Sequence, residues 1–178
     1  MREDLKSILY SEEAIAQRVV ELAEQIEKDY AGKELVLVGV LKGANVFMCD
    51  LMRKIDLPMS IDFIAASSYG TSTESSGVVK ILKDLDHSIE GKDVIIIEDI
   101  IDTGLTLSYL MKNFKNRKAK SIEICTLLDK PERRRAPIDV KYIGYKIPDE
   151  FIVGYGIDYA EKYRNLPFIA TIKEEVYK

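Results

Sequence analysis

Three carboxylates, Glu98, Asp99 and Asp102, stand close together in the chain, and Thr103, Gly104, Leu105 and Thr106 follow them directly. Threonine hydroxyls are donors, and a glycine lets a ligand approach the backbone closely. The spacing of Leu107, Leu110, Met111 and Phe114 predicts a helix starting here, whose first N–H groups carry partial positive charge. A phosphate fits such a loop. Acids beside a bare anion would repel it, so the carboxylates serve other groups, for which ribose hydroxyls and a divalent cation are the natural partners.

What positions these residues is the run Val94-Ile95-Ile96-Ile97, β-branched, too short for a helix and bounded by charge. It predicts a buried strand that ends at Glu98 and Asp99. Ligands of open α/β sheets bind outside the carboxyl ends of strands, so strand, acidic loop and helix form one unit. A second apolar run over 35–41 stops at Lys42-Gly43 before a helical pattern through Phe47, Leu51 and Met52. Spacing alone leaves two readings of that turn: a second anion site, or a reversal of the chain.

Composition bounds the answer. The 178 residues are 47% hydrophobic and 31% charged, enough for one ordinary core. A net charge of -4 provides no global basic field for nucleic acid. No apolar stretch has the ~18 residues a membrane helix needs, and the N-terminal segment has no signal-peptide core. Cys49 and Cys125 lie in apolar runs and read as packing residues of a reducing, cytoplasmic protein. The sole histidine, His87, sits in a charged turn, which removes Ser-His-Asp and His-metal schemes.

The segment Glu98-Asp99-Ile100-Ile101-Asp102-Thr103-Gly104-Leu105-Thr106, with the apolar run before it, resembles the phosphoribosyl diphosphate signature of type I phosphoribosyltransferases, and more narrowly their hypoxanthine-guanine members. Leu41-Lys42-Gly43 is similar to the family's diphosphate loop, where the peptide before the lysine can be cis. Pro148-Asp149-Glu150-Phe151-Ile152-Val153-Gly154-Tyr155, through Asp158, Tyr159 and Arg164, resembles the C-terminal hood over the base. The resemblance spans residues 35–166 with its motifs in family order.

It implies an α/β fold: a mostly parallel sheet flanked by helices, with a small C-terminal base-binding hood and a flexible flap hairpin. The chain would be one domain, its core at about 8–145 and 166–174, its flap at about 67–84 and its hood at about 146–165. The implied reaction joins a purine base to phosphoribosyl diphosphate, with Mg2+ as cofactor, in a homodimer or homotetramer. By resemblance Asp102 is the general base and, with 103–106, cradles the 5′-phosphate. Glu98 and Asp99 hold ribose hydroxyls, directly or through the metal, while Lys42, Gly43 and Arg164 bind diphosphate. Lys130 donates to the purine 6-oxo group, Phe151 stacks on the base, the Ile152 backbone reads its edge, and Asp158 contacts the 2-position or a metal-bound water. An ammonium has donors only, so Lys130 favours a carbonyl over the amino group of adenine. Leu105 stands where some relatives carry a basic side chain, which implies altered phosphate affinity.

The small, polar stretch after strand 61–66 is either a long hairpin connection or a lid whose Ser68-Tyr69 end closes over the diphosphate. Ser11 with Glu12 and Glu13 starts a packing helix whose stripe is Ile15, Val19, Leu22, Ala23, Ile26 and Tyr30, with Gly32 ending it. Residues 131–135, Pro-Glu-Arg-Arg-Arg, read as a solvated loop, with a phosphate or RNA contact as the other option. Phe168 to Ile172 reads as a last strand, with a charged tail after it. Rivals are a phosphoribosyltransferase-like RNA-binding regulator, disfavoured by the negative charge and the Lys130, Phe151 and Asp158 set; an aspartic protease, whose Asp-Thr-Gly is not followed by a helix; and a receiver domain, which leaves the Lys42 and Phe151 motifs unexplained.

Overall fold

The chain folds, in a computed structural model that describes residues 1–68 and 79–178, into two sheets of unequal size. In order the elements are β1 (Leu5–Tyr10), α1 (Glu12–Tyr30), β2 (Leu35–Leu41), α2 (Asn45–Met52), β3 (Met59–Ser68), β4 (Val79–Lys83), β5 (Asp93–Ile101), α3 (Leu105–Asn116), β6 (Ser121–Asp129), β7 (Tyr142–Lys146), β8 (Ile152–Val153), β9 (Ile169–Ile172) and α4 (Glu174–Tyr177). The α1 boundaries follow from local chemistry. Ser11 Oγ accepts from the Ala14 amide at 3.1 Å, and the chain leaves the helix through Gly32 at φ +76°. All six stripe residues from Ile15 to Tyr30 are buried.

The larger sheet runs β4-β3-β2-β5-β6-β7, parallel except for β4, which pairs antiparallel to β3. Central strand β5 buries both faces, as a covered parallel strand must. Ile95 and Ile97 join the cluster formed with Leu22, Ile26, Phe47 and Leu51 of α1 and α2. Val94 and Ile96 join the cluster of Leu107, Leu110 and Phe114 of α3 on the opposite side. The helices that follow β2 and β5 therefore lie on opposite faces, and strand order reverses between these neighbours. That is the switch point at which such sheets open a crevice.

Register deepens it. β2 and β5 pair from Leu35↔Asp93 only as far as Gly39↔Ile97. Beyond, β2 stays with β3, and β5 stays with β6 out to Ile101↔Asp129. The strand expected to stop at Glu98 thus continues to Ile101: β6 supplies backbone partners for Glu98, Ile100 and Ile101 whatever their side-chain polarity.

The small sheet is antiparallel, β1-β9-β8, so the N-terminal strand lies against the last one (Leu5↔Ile172, Ile8↔Ala170). Ser7 and Thr171 hydroxyls meet at 2.9 Å, and Tyr163 donates to Asp4 at 2.8 Å. Sheet and hood segment share one cluster of Val153, Leu166, Phe168 and Ala170. The charged tail after β9 forms the short helix α4. Cys125 is buried, whereas Cys49 is only partly so, and His87 is exposed. Among the described residues no helix is long and apolar enough to cross a membrane. Ser68 closes β3, paired with Val79; Tyr69, the other half of the expected lid end, lies outside the described residues.

One polar bond inside this frame gives a stability expectation. Tyr142 is buried and its hydroxyl donates to Asp29 Oδ2 at 2.6 Å, which holds the Asp29 carboxyl below its ordinary range despite some opposing burial. A carboxyl depressed in the folded state stabilises above its unfolded value and loses that contribution as pH falls through the folded one. Tyr142→Phe is therefore expected to cost about 1 kcal/mol at neutral pH, discounted for the solvent access of Asp29. The gap to the parent protein should close below about pH 4 in urea melts; a gap independent of pH would refute the pairing.

Candidate active site

Gly104 takes φ +79° to turn the end of β5 into α3, and no side chain caps the helix start. Beyond the Leu105 amide, the N–H groups of its first turn are consequently available to a ligand. Thr103 Oγ1 accepts from the Leu105 amide at 3.4 Å. Glu98, Asp102, Thr103, Gly104 and Thr106 line one cleft of about 130 Å³. Leu105, half-buried, is the first helical residue beside it.

Across the crevice the Leu41-Lys42 peptide is cis. Gly43 is pressed against the acids of β5: a Cβ there would lie 2.6 Å from Asp99 Cγ. On its other side Gly156, at φ +95°, packs its backbone on the Gly43 carbonyl so closely that a Cβ would clash with that oxygen. The β2 loop, Asp99 and the hood turn are thus fitted together through bare backbone.

Lys42 Nζ lies 2.9 Å from Glu161 Oε2, and Arg164 reaches Glu161 Oε1 and Asp158 Oδ1, each at 3.2 Å, while donating to the Gly156 carbonyl at 2.8 Å. One carboxylate, Glu161, therefore joins the two cations assigned to diphosphate. These hydrogen bonds, first to Lys42 and then to Arg164, keep its carboxyl below the ordinary range.

Burial pushes the Glu98 carboxyl well above its usual range, and the neighbouring Asp99 charge adds to this. Asp99 is raised as well, again chiefly by burial, although its carboxylate accepts from the Ile100 amide at 2.7 Å. Two crowded carboxylates at one strand end are relieved by a cation, and oxygen donors suit a hard divalent ion that fills its remaining positions with substrate oxygens and water. Among the described residues no three acidic, histidine or cysteine side chains converge to cage a metal alone. Asp158 sits with Arg164.

At the end of β6, Lys130 is 8% exposed, and its amide donates to the Ile101 carbonyl at 2.9 Å, fixing it beside β5. Its ammonium pairs with Asp149 Oδ1 at 3.3 Å. Asp149 Oδ2 is 3.3 Å from Arg133 NH1, and Arg133 Nε donates to Asp102 Oδ1 at 2.8 Å. An alternating chain of charge, Asp102–Arg133–Asp149–Lys130, connects the cleft loop to the hood. The pairing with Asp102 raises the Arg133 guanidinium above its ordinary range. Residues 131–135 are mostly exposed, as a solvated loop is, but they are tied to the site at several points. Arg134 pairs with Asp129 and covers Gly104, and the Arg135 and Ala136 amides both donate to the Thr103 carbonyl. Phe151 is 38% exposed, and Ile152 is buried in β8. Arg133, Asp149 and Glu161 are the site residues that sequence reasoning missed.

The chain matches the phosphoribosyl transferase domain family over residues 6–160. It is 58% identical to a hypoxanthine-guanine phosphoribosyltransferase of Staphylococcus aureus, with 99% of each chain covered. A Bacillus subtilis protein of the same name is 54% identical, over 100% of this chain and 99% of that one. The crystal structure of a hypoxanthine phosphoribosyltransferase from Staphylococcus aureus superposes with a TM-score of 0.98 at 57% identity, covering 100% of this chain and 97% of the other.

Proposed function

The chain belongs to the phosphoribosyltransferase family, on its hypoxanthine-guanine branch, and from that premise we propose that it transfers the 5-phosphoribosyl group of 5-phospho-α-D-ribose 1-diphosphate to N9 of hypoxanthine or guanine, giving IMP or GMP and diphosphate. The observation that supports the purine assignment is the chain of charge that links the Asp102 carboxylate, through Arg133 and Asp149, to the buried Lys130 ammonium. A 6-oxopurine offers a proton to the first and a carbonyl to the second.

In this reading the 103–106 amides and hydroxyls take the 5′-phosphate, and Glu98 and Asp99 take the ribose hydroxyls, directly or through Mg2+. Lys42, Gly43 and Arg164 receive the diphosphate, for which Glu161 acts as a placeholder between the two cations. Lys130, Phe151 and the Ile152 backbone bind the purine, and Asp158 faces its 2-position or a metal-bound water. Mg2+, held by Glu98 and Asp99, supplies neutralisation of the leaving diphosphate when bound.

Asp102 accepts the proton the purine loses near N7, for which Arg133 must first release it. That exchange costs little, since Asp102 and Arg133 are 47% and 46% exposed and pairs of that kind are worth about 0–1 kcal/mol. A cytoplasmic homodimer or homotetramer belongs to the same proposal. The test is nucleotide formation from phosphoribosyl diphosphate with guanine, hypoxanthine, xanthine and adenine in parallel, with and without Mg2+. Guanine and hypoxanthine are expected to yield nucleotide and adenine none; product from adenine, or from no base, would overturn the assignment.

A further inference from the structure

Phe151 projects from an irregular segment between Glu150 and β8, and its carbonyl accepts from the Ile172 amide at 3.2 Å. An exposed phenyl ring on such a segment would ordinarily turn among rotamers, and each must be given up when a ligand stacks on it. Here it is held. The Tyr177 ring stacks on Phe151 with centroids 4.5 Å apart and planes 20° from parallel, and Tyr159 meets it nearly perpendicular, at 5.3 Å and 87°. Phe151 keeps 38% of its surface open despite both neighbours.

Tyr177 is itself anchored through α4. The Lys173 amide at the helix start donates to the Asp4 carbonyl at 2.9 Å, and Val176 and Tyr177 pack on the cluster that contains Tyr163 and Phe168. We propose that Tyr177 is a positioning residue for the purine: its ring backs one face of Phe151 and keeps the other face presented to the base. This role rests on Phe151 being the stacking residue of the functional reading above. It extends the base site to the last turn of the chain.

The test compares Tyr177→Ala, Tyr177→Phe and a chain ending at Lys173, each measured for KM of guanine, KM of phosphoribosyl diphosphate, kcat and melting temperature. A backing stack of this geometry corresponds to about a three- to tenfold change in guanine KM. Tyr177→Ala and the shortened chain should show that rise with kcat and the phosphoribosyl diphosphate KM little changed, and Tyr177→Phe, which keeps the ring, should restore the parent value. An unchanged guanine KM in Tyr177→Ala would overturn the role, as would a joint loss of all parameters that phenylalanine does not rescue. Parent protein that makes no nucleotide from guanine would instead overturn the reading of Phe151, and the role with it.

Discussion

Asp102→Asn is expected to lower turnover by about 10²- to 10⁴-fold, the range that a positioned general base supplies, while IMP still binds. Asparagine has nearly the same shape, so the cleft lined by Glu98, Thr103, Gly104 and Thr106 keeps its form, and the amides at the start of α3 are unaffected. What disappears is the group that the proposed mechanism makes the acceptor for the purine proton. Stability should hardly move, because the partner lost by Arg133 is an exposed one and Asp149 retains the guanidinium. Single-turnover kinetics and calorimetric titration with IMP separate the two effects. Turnover equal to that of the parent would remove Asp102 from its role, and loss of IMP binding would make it a structural member of the phosphate loop.

Gly43→Ala should produce the other large loss. The added methyl would sit within 2.6 Å of Asp99 Cγ and must displace that carboxylate, since the Gly43 carbonyl is itself fixed under Gly156. Asp99 is a short side chain that can rotate away, so the fold survives. Its oxygens, however, would leave the place where the proposed function has them meet the ribose, and a misplacement of about 1 Å near reacting groups can cost about 10² in rate. Expected, then, is kcat/KM for phosphoribosyl diphosphate reduced by about 10²-fold in a protein whose melting temperature is close to that of the parent. Full activity would show that the contact between Gly43 and Asp99 does not matter to the chemistry, and an unfolded product would show that Asp99 cannot yield.

The contrast between these two positions shows what the sequence can carry. Asp102 and its loop are local: an apolar run, a polarity change, a glycine and a helical pattern lie in consecutive residues, each with its own physical meaning. The capped α1 and the strand at 35–41 are legible for the same reason, whereas the mostly parallel sheet comes from the family resemblance. Gly43 could be placed at a turn, but its contact with Asp99 comes from two strands becoming neighbours at a switch point. The ion pairs of Arg133, Asp149 and Glu161 were not legible, because the partners of Arg133 and Lys42 lie 31 and 119 residues away and a charged residue in a loop reads as solvated until its partner is known. The extension of β5 past Glu98 escaped as well, since what sustains it is the backbone of β6 and not any property of its own side chains.

The pairing of β1 with β9 has a consequence for anyone who alters the ends of this chain. Both extremities of the polypeptide enter the layer that carries Ile152, where the Lys173 amide holds the Asp4 carbonyl. A change in residues 1–4 or 173–178 therefore bears first on the layer that carries Ile152, and in the proposed function it would disturb purine affinity before ribose chemistry.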